Sequence, residues 1–125
     1  MKNESFHQRK IVLLLTDLKS DGKIIEFFAI PNGGYRNSIE MKSLLAEGLT
    51  PGASDLCIIT QNKVWFIELK VPPQKLKSGK LSYHKSKPSD KQKDFLKTIQ
   101  KSNVCDGVVI YGYEQFKEFL KYCLL

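Results

Sequence analysis

Apolar positions along the chain change period in a regular order. Over residues 5 to 21, Ile11, Leu14, Leu15 and Leu18 recur at helical spacing, and Gly22 is placed to end the helix. Residues 23 to 30 alternate as a strand, with Ile25, Phe27 and Ala29 on one face and Ile24, Glu26, Phe28 and Ile30 on the other. Pro31-Asn32-Gly33-Gly34 makes a turn, because consecutive glycines permit positive φ and close backbone approach. Ser38 caps a short helix to Glu47 whose buried side is Ile39, Met41, Leu44 and Leu45. Two short runs rich in Ile, Val and aromatics follow, 55 to 60 and 64 to 70, joined by the polar pair Gln61-Asn62, and they predict a β-hairpin. The stretch 71 to 88 has three prolines and no period, and reads as a loop. Pro88-Ser89 opens a helix to about Lys101 with Phe95, Leu96 and Ile99 as its stripe. A last strand over 104 to 111 leads to a closing helix over 113 to 123 with Phe116, Phe119, Leu120 and Cys123 inward.

The hairpin is the organising element. With a two-residue turn Thr60 faces Lys63, and counting back puts Asp55 opposite Glu68; a three-residue turn would send Asp55 to the other face. Side chains alternate, so Glu68 and Lys70 share a face, about 6.6 Å apart at about 3.3 Å per residue. Asp55, Glu68 and Lys70 therefore converge. Both faces of the two strands are apolar, as expected of central strands in a covered sheet, where facing carboxylates are costly unless positive charge lies between them. Lys70 supplies one charge and a hard divalent cation would supply the rest. The plainer reading of the same residues is an Asp/Glu/Lys ion-pair cluster at a sheet edge.

Composition narrows the setting. With 125 residues, 42% hydrophobic and 26% charged, the chain is an ordinary globular one of single-domain size. Cys57, Cys105 and Cys123 are odd in number and scattered in apolar segments, which fits buried thiols in a reducing compartment. The longest aliphatic run, residues 11 to 15, is too short for a membrane span, so a cytoplasmic protein is expected. Between Lys70 and Lys97 stand nine lysines and two aspartates, and that segment carries the chain's net charge of +7. Such a stretch beside a cation site suits a strand-binding arm, with Lys75, Lys77 and Lys80 at its centre. The turn at Asn32, Gly33 and Gly34 can offer backbone N–H groups to a phosphate, Arg36 is a candidate phosphate contact, and Lys42 projects toward either nucleic acid or water.

The motif GASD at 52 to 55, a short spacer and IELK at 67 to 70 resembles the signature of the PD-(D/E)xK nuclease superfamily. With PNGGYR at 31 to 36, EGLTPGASDL at 47 to 56 and a Gln-bearing helix afterwards, the chain resembles a small stand-alone VRR-NUC domain over roughly residues 4 to 120. Ser54 stands where the superfamily's name records proline. The resemblance implies a restriction-endonuclease-like α/β domain, a mixed sheet flanked by helices in the order αβαββαβα. It implies Mg²⁺-dependent hydrolysis of DNA phosphodiester bonds, with Mn²⁺ as substitute, by a homodimer selective for branched or Holliday-junction-like DNA. Asp55, Glu68, the Leu69 carbonyl and Glu4 would hold the metal, and Lys70 and Gln92 would complete the catalytic set.

Two of these residues also have local explanations. Ser5 with Gln8 reads as a capping box that leaves Glu4 outside the first helix, and Ser89 with Gln92 reads as another. Glu26 is an alternative acid for the site, or an edge-strand acid reaching water. Two rival functions stand beside the nuclease: a catalytically silent nucleic-acid-binding module on the same fold, and a basic structural protein with an incidental ion-pair cluster.

Overall fold

A computed structural model describes residues 2–31, 37–83 and 86–124, with side chains to Tyr122. The first helix, α1, runs Glu4–Ser20 and is followed by strand β1 at Glu26–Ala29 and helix α2 at Ser38–Ala46. The hairpin strands are β2, Leu56–Ile59, and β3, Val64–Lys70. Two short strands, β4 at Gln74–Lys75 and β5 at Leu81–Ser82, precede α3, Asp90–Ile99. Strand β6, Cys105–Tyr111, then leads into α4, Gly112–Phe119, which continues as a π-helical turn over Leu120–Leu124.

Four strands form one mixed sheet in the order β1-β2-β3-β6, antiparallel except for the parallel pair β3 and β6. The two hairpin strands are central. Their pairing sets Leu56 against Ile67 and Ile59 against Val64, and the turn closes through Thr60 N–H to the Lys63 carbonyl at 2.9 Å. This is the register of a two-residue turn, which counted outward would set Asp55 against Glu68; the backbone departs from it there, since Asp55 N–H donates at 3.0 Å to the carbonyl of Ile67, the partner of Leu56.

Alternation then sorts the side chains into two layers. Leu56, Ile58, Ile67, Leu69 and Ile110 are buried against Ile11 and Leu15 of α1 and Phe116 of α4, with Trp65 meeting Phe119 edge-on at 4.9 Å. On the other face Phe66 meets Phe95 of α3 edge-on at 5.6 Å, and the Gln100 amide donates to the Gly107 carbonyl of β6 at 2.9 Å. Burial of these aliphatic side chains, about 1.5–3 kcal/mol each, is the main favourable contribution to folding. Among the described residues no helix is long and apolar enough to cross a membrane.

Several expectations need correction. Helix α1 is capped by Asn3, whose side chain accepts from Phe6 N–H, so Glu4 is the first helical residue and the Ser5 capping box does not form. Asn37, not Ser38, caps α2. That helix buries none of its residues; Ile39 is 79% and Leu45 44% exposed. Spacing defines which side of a helix is apolar, but burial needs a second surface, and among the described residues α2 is packed extensively against no other element. The first strand is shorter than its alternation suggests. Ile24 lies ahead of it and drops into the core, while Glu26 pairs with Lys19 at 2.7 Å, which holds its carboxyl below the usual range. The stretch 71 to 88 is not all loop, since β4 and β5 pair within it. Cys57 is buried and Cys105 half-buried, both as free thiols. The side chain of Cys123 lies outside the described residues.

Candidate active site

Asp55 stands one residue ahead of β2, where the chain leaves the Thr50-Pro51-Gly52 turn. Its N–H donates to the Ile67 carbonyl at 3.0 Å, and its Oδ2 accepts from Leu69 N–H at 2.7 Å. In a regular ladder the Leu69 N–H would seek the carbonyl of Ser54, the residue in register with it. The Asp55 carboxylate replaces that carbonyl, so it is aimed along the sheet end and held there by a charge-assisted bond.

Glu68 is 1% exposed, the most deeply buried charged residue described. Lys70 Nζ lies 3.5 Å from its Oε1, whereas its Oε2 has no hydrogen-bond partner among the described residues. Burial, and then the neighbouring Asp55 charge, push the Glu68 carboxyl up to about 8 against the pull of Lys70. Burial raises Asp55 as well, opposed by the Leu69 N–H, Lys70 and the Glu68 carboxyl. Two acids raised together at the end of central strands mark a place that favours either a proton or a cation.

Glu4 enters this field from the first turn of α1, on the helix layer rather than the sheet. Burial and the Asp55 charge raise its carboxyl, while Lys70 lowers it. Among the described residues, however, no three His, Cys, Asp or Glu side chains are grouped closely enough to hold a metal ion. Glu4 thus lies within the electrostatic field of Asp55 and Lys70 without being grouped with the pair as a third carboxylate in this arrangement. A cation here would be held by the two carboxylates together with backbone and water oxygens, the donor set Mg²⁺ takes, and would satisfy the orphaned Glu68 Oε2. The residues fit the group.

Gln92 occupies the first turn of α3, where its Oε1 accepts from Ser89 N–H at 2.8 Å and Ser89 Oγ accepts from Gln92 N–H at 3.2 Å. Its side chain is thus engaged in the capping box. The same turn is the wall against which Gly52 packs: at φ 84°, a Cβ there would fall 2.4 Å from the Lys91 carbonyl oxygen. Gly52→Ala is expected to cost about 2 kcal/mol or more in urea unfolding, from left-handed backbone strain and the clash with a backbone atom. An unchanged unfolding midpoint would show that α3 does not hold the Asp55 turn.

The remaining predicted contacts are spread out. Lys42 is exposed on α2, and Lys75, Lys77 and Lys80 are exposed on the segment that follows Lys70. Asn32, Gly33, Gly34 and Arg36 lie outside the described residues. Two residues carry roles that local pattern did not reveal. Ser54, fully buried beside Asp55, has an Oγ without a partner among the described residues. His7 Nδ1 accepts from Tyr113 N–H at 3.0 Å and so caps α4, which has no side-chain cap of its own. A contact across 106 residues leaves no local signal in the chain.

No protein-family model, curated protein or solved structure matches this chain.

Proposed function

We propose that this chain is a metal-dependent deoxyribonuclease of the VRR-NUC kind, with a PD-(D/E)xK site built on the β2–β3 hairpin. The observation that carries the reading is the buried carboxylate pair Asp55 and Glu68 at central-strand ends, with Lys70 beside it and Glu68 Oε2 left unpartnered. An ion-pair cluster alone would satisfy that oxygen or leave it to water; this one is buried and has no hydrogen-bond partner among the described residues.

Asp55 and Glu68, with the Leu69 backbone carbonyl, would hold Mg²⁺ or Mn²⁺. Bound there, the ion supplies Lewis acidity at the scissile phosphate and lowers the pKa of a water. Asp55 is kept in orientation by Leu69 N–H, which bonds its Oδ2 at 2.7 Å. Lys70 keeps a positive charge beside Glu68 and offsets charge that develops on the phosphate. Glu4 deepens the negative field that attracts the cation. Gln92 closes the turn that positions Gly52 and thereby Asp55. The lysines after Lys70 grip the sugar-phosphate backbone, a contact that positions without specifying sequence. The working form is a cytoplasmic homodimer acting on branched DNA, since one small domain has a single site for two arms.

The test is incubation with end-labelled branched, flapped and linear DNA in Mg²⁺, Mn²⁺ or chelator. Cleavage with either ion and none with chelator is expected. Binding without cleavage on every substrate would favour the catalytically silent module, a reading to which the engaged side chains of Gln92 and Lys70 lend weight.

A further inference from the structure

The chain just beyond Lys70 has an architecture that the proposed chemistry does not use. Gln74 pairs with Ser82 and Lys75 with Leu81, and the turn closes through Leu76 N–H to the Lys80 carbonyl at 2.8 Å and Gly79 N–H to the Leu76 carbonyl at 2.9 Å. An isolated two-stranded hairpin is marginal in water, so its attachment matters. Both feet are fixed at the end of β6, where Tyr111 pairs with Lys70. Pro72 packs on Gly112, which has φ 90° and where a Cβ would fall 2.5 Å from the proline ring. Tyr83 meets Tyr111 edge-on at 4.9 Å.

From these feet every residue from 74 to 81 is exposed, and the strands carry the tip about 10 Å outward at about 3.3 Å per residue. Leu76 and Leu81 are 47% and 55% exposed on this projection. The pairing puts Leu76 with Lys80 on one face and Leu81 with Lys75 on the other. Each face therefore joins one apolar side chain to one cation.

A lipid surface would call for a single broad apolar face. Two leucines on opposite faces of a narrow ribbon suit entry between two surfaces instead. Where a duplex opens, each separated strand presents a base face to an apolar side chain and phosphates to an ammonium group. We infer that the 74–82 hairpin is a wedge that enters a branch point in DNA. Leu76 and Leu81 contact the bases of the two diverging strands, and Lys75, Lys77 and Lys80 hold their phosphates. Delivery of one strand to Asp55 and Glu68 rests on the nuclease reading; insertion at the branch does not.

The experiment uses the full chain, as wild type and as the double variant Leu76→Ala/Leu81→Ala. The probe is a forked duplex with 2-aminopurine at the branch, compared with a matched linear duplex, both in chelator. Wild-type protein should raise the 2-aminopurine fluorescence of the fork. The double variant should lose that rise, and its preference for fork over linear DNA should fall about tenfold, the scale of returning one leucine to water. Thermal melting should be unchanged, because both side chains are exposed. Cleavage in Mg²⁺ is read separately: a leucine-dependent fluorescence rise without cleavage keeps the wedge and removes the nuclease. Cleavage with an unmoved fork preference in the double variant removes the wedge and keeps the nuclease. The wedge is equally overturned if wild-type protein does not bind the fork. It is also overturned if the double substitution alters only the oligomeric state, which would assign the leucines to a contact between copies.

Discussion

Asp55→Asn, Glu68→Gln and Lys70→Ala are each expected to reduce DNA cleavage by about a thousandfold or more, since each removes charge from a site whose cation supplies several kcal/mol of transition-state stabilisation. Binding to the same DNA in chelator should survive in all three. The choice of Asn matters, because Asp55 Oδ2 also closes the sheet by accepting from Leu69 N–H at 2.7 Å. An amide oxygen keeps that bond, so a loss of cleavage by Asp55→Asn reports on charge, whereas Asp55→Ala would mix it with damage to the strand end. Single-turnover rates on a labelled fork, with circular dichroism to verify folding, decide the matter. Wild-type rates in Asp55→Asn would falsify the metal assignment.

The second large effect is on stability, and its direction follows from Glu68. The folded protein holds this carboxyl up to about 8, against an ordinary value of 4.5, through burial and the Asp55 charge. Below about pH 4.5 both folded and unfolded chains carry the proton and the group contributes no pH dependence. Between there and about pH 8 the folded chain keeps a proton that the unfolded chain has released, so stability falls as pH rises. Above that range both are ionised and the full cost of the buried charge remains. Asp55 and Glu4, also raised, act in the same sense. His7, lowered by its burial and by Lys10 and Lys2, acts oppositely near its ordinary 6.5, so the informative quantity is the difference between wild type and Glu68→Gln.

Glu68→Gln should therefore melt higher than wild type in chelator at pH 8, by an amount that shrinks toward pH 5. Divalent cation selects the ionised carboxylates and displaces the proton, so its affinity should increase with pH. At a hundred times its Kd the ion should raise the melting temperature of wild type on the order of 10 °C, and that of Glu68→Gln far less. Melting curves from pH 5 to 9, with chelator and with saturating Mg²⁺ or Mn²⁺, test both halves. Coincident curves with and without metal at every pH would return the pair to the status of an incidental ion cluster.

Much of this site could be read along the chain because its geometry is local. A polar two-residue turn and strict alternation predict the hairpin register, and the sheet follows it from Ile59 with Val64 to Leu56 with Ile67, while Asp55 itself bonds one residue off, to the Ile67 carbonyl. Helical spacing likewise marked Leu96 of α3 and Phe116 of α4 as inward, and Ser89 with Gln92 forms the capping box that their spacing predicts. What the chain could not tell was which surfaces meet. Ile39 and Leu45 have the right spacing for burial and remain exposed, because among the described residues no other element packs extensively on α2. Glu4 joins the field of Asp55 only because α1 packs on the sheet and brings its first turn within reach of Asp55 and Lys70. The prolines at 72 and 73 suggested a structureless loop, yet Pro72 on Gly112 and Tyr83 on Tyr111 are contacts across many residues that anchor a hairpin. Local pattern determines conformation and register wherever neighbouring residues set the energies. The depth of Glu68, the raised carboxyls and the exposed leucines of the hairpin depend on distant segments excluding water or failing to, and only the tertiary structure decides that.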